Sequence, residues 1–239
     1  MDKRFEDLRD IIDRQNNHFW LYLKCFVFDE IAWDILEEVS KQTKLYVFSG
    51  VIRNFLLGIE CNRDIDFVVE DLKNVHIPFK YLMYIRYIKN SFGGYKICIS
   101  GMTIDIWDIK ESWSMLVNPK LRPTPYTLIR TPFFNFSAIV YDVRRRKFIY
   151  DTDFLIFYHT KVMNVVNEIN PNPALCIVST MHYAKKYVLG IHSNLLRWIL
   201  NHSYPNLDYE LAQMRHFHTI EFSNKEILEF IEECRLFCK

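Results

Sequence analysis

Several features that would assign this chain to a common class are missing from its sequence. Its apolar runs are far too short to cross a membrane, and its N-terminus, Met1–Glu6, contains no apolar signal segment. Its six cysteines form no CxxC pair and no Cys/His grouping with the spacing of a zinc site. We therefore expect a reduced, cytoplasmic protein with no membrane partner.

A strong charge of either sign is also missing. The 239 residues include 30 Lys and Arg against 29 Asp and Glu, mixed along the chain, for a net charge of +1. A protein that holds long nucleic acid by charge alone would be strongly basic, although a local basic groove is compatible with this balance. There is no internal repeat, low-complexity tract or glycine-rich linker. Half of the residues are apolar, which is enough for a sizeable core.

The hydrophobic pattern predicts an α+β protein. We expect N-terminal helices over 1–44, a mixed-sheet domain over 45–165 and an all-helical domain over 166–239, with a proline-containing loop at 112–132. The predicted strands lie at 45–48, 64–69, 95–100, 103–107, 135–142 and 147–151. The predicted helices lie at 5–15, 27–40, 51–57, 79–89, 174–189, 193–201, 207–217 and 224–237.

A pair of acids on one predicted strand is the first candidate site. Asp64 and Asp66 alternate with apolar residues, so both carboxylates project from one face of the strand. Two such carboxylates repel each other unless a cation lies between them, and Mg²⁺ is held by one or two carboxylates together with substrate phosphates. The pair therefore predicts a metal site. A second Asp-x-Asp, at Asp151 and Asp153, receives no catalytic role.

The segment before this strand predicts a phosphate contact. The strand at 45–48 runs into Ser49-Gly50 at the start of a short helix, where free backbone N–H groups and a partial positive charge suit a triphosphate. Arg53, one turn into the helix, adds a charge-assisted contact. The alternative is an ordinary strand, turn and helix with a surface arginine.

A third acid lies in a later apolar strand. Asp105 is flanked by Ile104 and Ile106, and a buried acid in such a strand is costly without a partner. If this strand lies beside the one that carries Asp64 and Asp66, the three acids form a triad on one face. If it lies at the edge of the sheet, Asp105 meets solvent instead.

In type and order, these motifs resemble those of the DNA-polymerase-β-like nucleotidyltransferase superfamily. The head domain of bacterial poly(A) polymerases and CCA-adding tRNA nucleotidyltransferases carries Gly-Gly-x-Val-Arg-Asp-x-Leu-Leu-Gly before Asp-Ile-Asp-Phe. Here the chain has Ser-Gly-Val-Ile-Arg-Asn-Phe-Leu-Leu-Gly at 49–58 and Arg-Asp-Ile-Asp-Phe at 63–67. The similarity continues in the same order through 104–113, 134–142 and 181–186. It implies a head domain over 45–165 and a neck-like domain over 166–239.

The chain also departs from the family pattern. Ser49 replaces the first glycine, and Asn54 replaces the acid after the arginine. Most arginines of the family's neck helix are missing, as is the Glu-Asp-x-x-Arg motif that selects CTP and ATP in the CCA-adding enzymes. We therefore do not expect housekeeping CCA synthesis.

The resemblance implies metal-dependent transfer of a nucleoside monophosphate from a nucleoside triphosphate, such as ATP, to an acceptor hydroxyl. The expected acceptor is the 3′ end of an RNA such as tRNA. Asp64, Asp66 and Asp105 would be the catalytic residues and the ligands of Mg²⁺ or Mn²⁺. Nucleotide binding is implied for Ser49, Gly50, Arg53, Arg63 and Asn135, and RNA or nucleotide contacts for Tyr183, Lys185 and Lys186.

Two alternatives stay open at this point. The acceptor could be a protein or a small molecule, as in toxin-like or defence-associated relatives. The chain could also be a degenerate relative that binds nucleotide or RNA without turnover, which Ser49 and Asn54 favour. The three acids favour an enzyme, because clustered carboxylates without a metal to hold would destabilise the fold. The sequence does not indicate an oligomeric state.

Overall fold

The computed structural model describes residues 3–59, 64–89, 93–99 and 101–238. The chain divides into two units, one formed by Met1–Thr131 with Ser137–Leu155 and the other by Pro132–Phe136 with Ile156–Lys239. The fold is mixed α and β, which confirms the predicted α+β class. Within the described ranges, no helix is both long and apolar enough to span a bilayer.

The first unit is built on a seven-stranded mixed sheet. Its strands are β1 Leu45–Phe48, β2 Asp64–Val69, β3 Arg86–Lys89, β4 Tyr95–Ile99, β5 Met102–Asp108, β6 Ile139–Asp142 and β7 Lys147–Tyr150. Their spatial order is β3-β4-β5-β2-β1-β6-β7. β2 and β5 are parallel, and the other neighbouring strands are antiparallel.

Helices cover one face of this sheet. Phe19, in the second helix, contacts the rings of Tyr141 and Phe148 on β6 and β7, with ring centroids 4.8 and 5.2 Å apart. The hydroxyl of Tyr141 donates a hydrogen bond of 2.9 Å to the carbonyl of Asn16. The helices of this unit are α1 Lys3–Arg14, α2 Asn16–Tyr22, α3 Glu30–Gln42, α4 Gly50–Leu56, α5 Trp113–Val117 and α6 Pro125–Leu128, and α7 Thr152–Thr160 spans the boundary between the units.

The opposite face carries an apolar cluster at one end. Tyr46, Val68 and Val140 form a buried cluster with Leu128 and Ile129, at and just after α6. Alternation along β2 places Val68 on the same face as Asp64 and Asp66. The cluster therefore closes one end of this face with apolar side chains, and the other end carries the acids.

The second unit is helical apart from one short strand pair. Its elements are β8 Val162–Met163, α8 Pro173–Tyr187, β9 Gly190–Ile191, α9 Ser193–His202, α10 Tyr209–Phe217 and α11 Asn224–Phe237. The buried side chain of Gln213 joins α10 to the segment before α11. It accepts from the N–H of Phe222 at 2.9 Å and donates to the carbonyl of the same residue at 2.9 Å.

Most predicted elements are confirmed, and three predictions are wrong in whole or in part. The strand predicted at 135–142 is limited to β6, because residues 135–137 form a 3₁₀ turn in which the Asn135 amide bonds to Val162 and Asn164. Residues 79–89 are not a helix: a 3₁₀ turn, Phe79–Tyr84, precedes strand β3, because pairing with β4 outweighs helical propensity there. The predicted loop at 112–132 contains α5 and α6, the latter started by the Thr124 cap and Pro125. Helices α2 and α7 were not predicted.

Candidate active site

The register between β2 and β5 brings the predicted acids together. The strands are parallel, and Asp66 and Asp105 are direct Cα partners. Paired residues project from the same face of a sheet, so the carboxylates of Asp66 and Asp105 share that face with Asp64, two residues earlier. The expectation that the Asp105 strand lies beside the Asp64–Asp66 strand is confirmed, and the edge-strand alternative is wrong.

A lysine that the sequence reasoning missed extends this row of side chains. Lys96 on β4 is the Cα partner of Asp105, and its Nζ donates to Oδ2 of Asp105 at 2.9 Å. The row across the sheet therefore reads Lys96, Asp105, Asp66 and, on β1, Phe48. A signal was present in the sequence, because a two-residue turn at Ser100-Gly101 makes 96 and 105 cross-strand partners.

The crowding of charge changes how these groups ionise. Burial, followed by the charges of Asp105 and Asp64, raises the pKa of Asp66 to about 7, while Lys96 and Arg53 act in the opposite direction. The hydrogen bond to Asp105 raises the pKa of Lys96, which keeps its ammonium charged at neutral pH. The acids therefore form an electrostatically unfavourable cluster that a cation relieves.

The Ser49-Gly50 turn lies at the same end of the sheet as the acids. Strand β1 ends at Phe48, whose Cα partner is Asp66. Ser49 has φ 47° and ψ −85°, a left-handed region that favours glycine, and its N–H donates to the carbonyl of Ile139 at 3.3 Å. A Cβ placed on Gly50 would meet nothing within 4 Å, so the backbone at this position is accessible to a ligand.

Arg53 is held in a fixed position inside α4. Its guanidinium is buried, and Nε and Nη2 donate to Oδ1 of Asn54 at 3.3 and 3.2 Å. Its charge lowers the pKa of Asp66, which places the guanidinium within electrostatic range of the acids. Asn54, which stands where the family has an acid, therefore orients the arginine as a neutral acceptor.

The donor set at these acids suits a magnesium ion, with a restriction. Across the described ranges, no three His, Cys, Asp or Glu side chains are arranged to hold a metal ion. Lys96 engages Oδ2 of Asp105, and Asp64 and Asp66 supply carboxylate oxygens, which are ligands that Mg²⁺ prefers. The chemistry of this pair fits the ion.

Of the other predicted site residues, Arg63 lies outside the described residues, and the rest belong to the second unit. Asn135 lies in the second unit, where its buried amide donates to the carbonyl of Val162 at 3.1 Å and accepts from the N–H of Asn164 at 2.9 Å. Its nucleotide-binding role stays a prediction, and its observed bonds fix a loop.

The residues predicted to contact RNA lie on α8, also in the second unit. The ring of Tyr183 packs among other rings, with Phe136 at 5.1 Å and Tyr187 at 5.8 Å between centroids. Lys185 is exposed and pairs with Glu221 at 3.2 Å, and Lys186 lies over the Tyr187 ring. All three side chains therefore make contacts within the second unit. The role of these residues in RNA binding stays a prediction.

Solved structures give the only similarity found in the comparisons, since no protein-family model and no curated protein matches the chain. A CCA-adding enzyme complexed with CTP has a TM-score of 0.65 at 15% identity, over 94% of this chain and 56% of that one. A tRNA nucleotidyltransferase complexed with a primer tRNA and an incoming ATP analogue gives 0.60 at 16%, over 85% and 60%. The chain has the fold of these enzymes.

A third similar structure is the Thermotoga maritima CCA-adding enzyme complexed with tRNA, with a TM-score of 0.59 at 15% identity, over 97% of this chain and 54% of that one. This chain thus spans between 54% and 60% of the length of the three structures. At this level of identity the similarity establishes the fold alone, and this fold is the one that the motifs implied.

The raised pKa of Asp66 predicts a pH-dependent stability in metal-free protein. Folded Asp66 titrates near 7 and unfolded Asp66 near its ordinary value, so stability is lost as the pH rises through this interval. Asp66→Asn removes that loss and should raise the free energy of unfolding by about 2–3 kcal/mol more at pH 8 than at pH 5. Urea denaturation in EDTA measures this. The control Asp7→Asn, on an exposed position of α1, should follow wild type; an identical pH profile for Asp66→Asn would disprove the assignment.

The backbone at Ser49 predicts a stabilising substitution. Because glycine adopts a positive φ without the steric cost that serine incurs, Ser49→Gly should raise the free energy of unfolding by about 1 kcal/mol. The matched control, Ser40→Gly within α3, should lower it by about the same amount, because glycine is unfavourable inside a helix. Thermal denaturation compares the two variants. A Ser49→Gly protein that is less stable than wild type would contradict the claim that the backbone at Ser49 is strained.

Proposed function

We propose that the chain is a metal-dependent nucleotidyltransferase, which transfers a nucleoside monophosphate from a nucleoside triphosphate to an acceptor hydroxyl. The observation that carries the proposal is the register that pairs Asp66 with Asp105, with Asp64 on the same face and the Ser49-Gly50 turn at the same end of the sheet. The structures with this fold include complexes with CTP, with ATP and with an ATP analogue, which supports a nucleotide as the ligand here.

Each residue of the cluster has a proposed role. Asp64 and Asp66 would hold Mg²⁺ or Mn²⁺, which when bound supplies positive charge to the triphosphate and to the attacking oxygen. Asp105, the third carboxylate of the cluster, is positioned to accept the proton of the acceptor hydroxyl.

The phosphate contacts come from the segment before β2. The accessible backbone at Gly50 and the buried guanidinium of Arg53 would bind the triphosphate, with Ser49 and Arg63 as further contacts that the resemblance implies. The three acids carry negative charge, so cationic and N–H groups beside them are required before a triphosphate can approach. Arg53 meets this requirement because its charge acts on Asp66.

RNA is the acceptor that the surface of the first unit favours. The segment 79–89 contains no acid and exposes aromatic rings together with cations, a composition typical of surfaces that bind single-stranded nucleic acid by stacking and charge. Arg86 on β3 lies in one row across the sheet with Cys98, Thr103 and Asp64, so it is about 14 Å from Asp64, or three strand spacings. The exposed residues that lie before or beside it are Phe79, Lys80 and Tyr84, whereas the exposed Tyr87 and Lys89 project from the opposite face of the sheet.

A nucleotide- or RNA-binding protein without turnover is the second candidate. Two observations favour it, namely Asn54 in place of the family's acid and the engagement of Asp105 by Lys96. Binding would then need the phosphate contacts and the RNA surface but no proton transfer at Asp105. An assay of transfer separates the two candidates.

The direct test incubates the full chain with Mg²⁺, each labelled nucleoside triphosphate in turn, and total RNA from its host. We expect label in a discrete RNA band, and a loss of about a thousandfold or more in Asp64→Asn/Asp66→Asn, because metal binding and charge stabilisation are both removed. The matched control is Asp151→Asn/Asp153→Asn, which changes the other Asp-x-Asp, located at the start of α7, and should transfer label normally.

The other outcomes identify the alternatives. Label on protein or on a small molecule would reject RNA as the acceptor while leaving the transferase in place. Binding of nucleotide with no transfer to any acceptor would favour the second candidate. Full activity in Asp64→Asn/Asp66→Asn would show that the site is elsewhere.

A further inference from the structure

We propose that Lys96 takes the place of a second divalent cation. The site then holds one metal ion, at Asp64 and Asp66, and not two ions with Asp105 as a ligand of the second. The inference rests on the proposed function, because it concerns the metal content of that same site. Lys96 would then be a positioning residue that supplies a fixed positive charge beside Asp105.

The geometry of the hairpin fixes the lysine at this position. Ile99 pairs with Met102 across a tight turn in which Gly101 has φ +79°, and the same register pairs Lys96 with Asp105. A shift of one residue in the register between β4 and β5 would turn every side chain of β4 to the opposite face. Ile97 and Ile99 would then be exposed in place of Lys96 and Cys98. The register of the sheet therefore fixes the pairing of Lys96 with Asp105.

The ion pair is also partly shielded from water. The Nζ of Lys96 lies 2.9 Å from Oδ2 of Asp105, whose side chain is 20% exposed, whereas the lysine side chain is 46% exposed. The ammonium group thus contacts the acid from the open side of the row, and Asp66 lies on the other side.

Charge balance favours one metal ion. Three carboxylates lie on this face, and Lys96 and Arg53 each act on Asp66 with one positive charge. With all three acids ionised and no nucleotide bound, one divalent ion brings the total from minus one to plus one. A second ion would add positive charge beside an ammonium group that already occupies an oxygen of Asp105.

The test counts bound Mn²⁺ in the full chain, from the decrease of the free Mn²⁺ signal in electron paramagnetic resonance. We expect one bound ion per wild-type chain. Lys96→Met should bind two, with the spectrum of a magnetically coupled pair, because the oxygen of Asp105 is released and a repelling charge is removed. Lys96→Arg keeps the charge and should bind one. The control Lys44→Met breaks another lysine–carboxylate pair of the unit, with Glu70 at 3.0 Å, and should also bind one.

The outcomes separate this inference from the proposed function. Two ions bound by wild type would overturn the role of Lys96 and leave the proposed transferase activity unaffected. One ion bound by Lys96→Met would do the same, provided that thermal unfolding shows the variant to be folded. No bound ion in wild type, or equal binding in Asp64→Asn/Asp66→Asn, would overturn the metal site itself and the inference with it.

Discussion

The repulsion among three carboxylates on one sheet face is the interaction on which the site depends. The parallel pairing of β2 with β5 forces Asp66 and Asp105 to be neighbours, and alternation along β2 adds Asp64 to the same face. Burial and, after it, the charges of Asp105 and Asp64 raise the pKa of Asp66 to about 7, so the cluster requires positive charge nearby. Lys96 from β4 and Arg53 from α4 supply part of that charge, and a bound metal ion would supply the remainder.

Elements of the first unit pack around this cluster. At the far end of the same face lies the apolar cluster around Tyr46 and Val140, and the ring of Phe19 in α2 packs on the opposite face. Strand β1 delivers the Ser49-Gly50 turn beside Asp66 in a backbone conformation that serine adopts only at a cost. A strained turn at the end of a buried strand, next to clustered acids, is typical of a ligand-binding position.

Much of this arrangement could be predicted from the sequence, because it depends on local patterns. Strand alternation places Asp64 and Asp66 together, and the order of motifs indicates the fold. The stretch at 79–89 was misread because its apolar spacing is compatible with a helix, and only pairing with β4 makes it a strand. Lys96 was missed although the turn at 100–101 determines its partner, and the bonds of Asn135 to 162–164 depend on contacts between distant residues that no local pattern reveals.

The most direct test of the central claim is the thermal stability of the full chain with Mg²⁺ and each nucleoside triphosphate, in wild type and in Asp64→Asn/Asp66→Asn. The account predicts that at least one triphosphate raises the unfolding temperature of wild type, by an amount that corresponds to about 2–3 kcal/mol at a ligand concentration one hundred times Kd. It also predicts that this gain requires Mg²⁺ and is lost in the double variant. An equal gain in both proteins, or none with any triphosphate, would contradict a metal–nucleotide site at these acids.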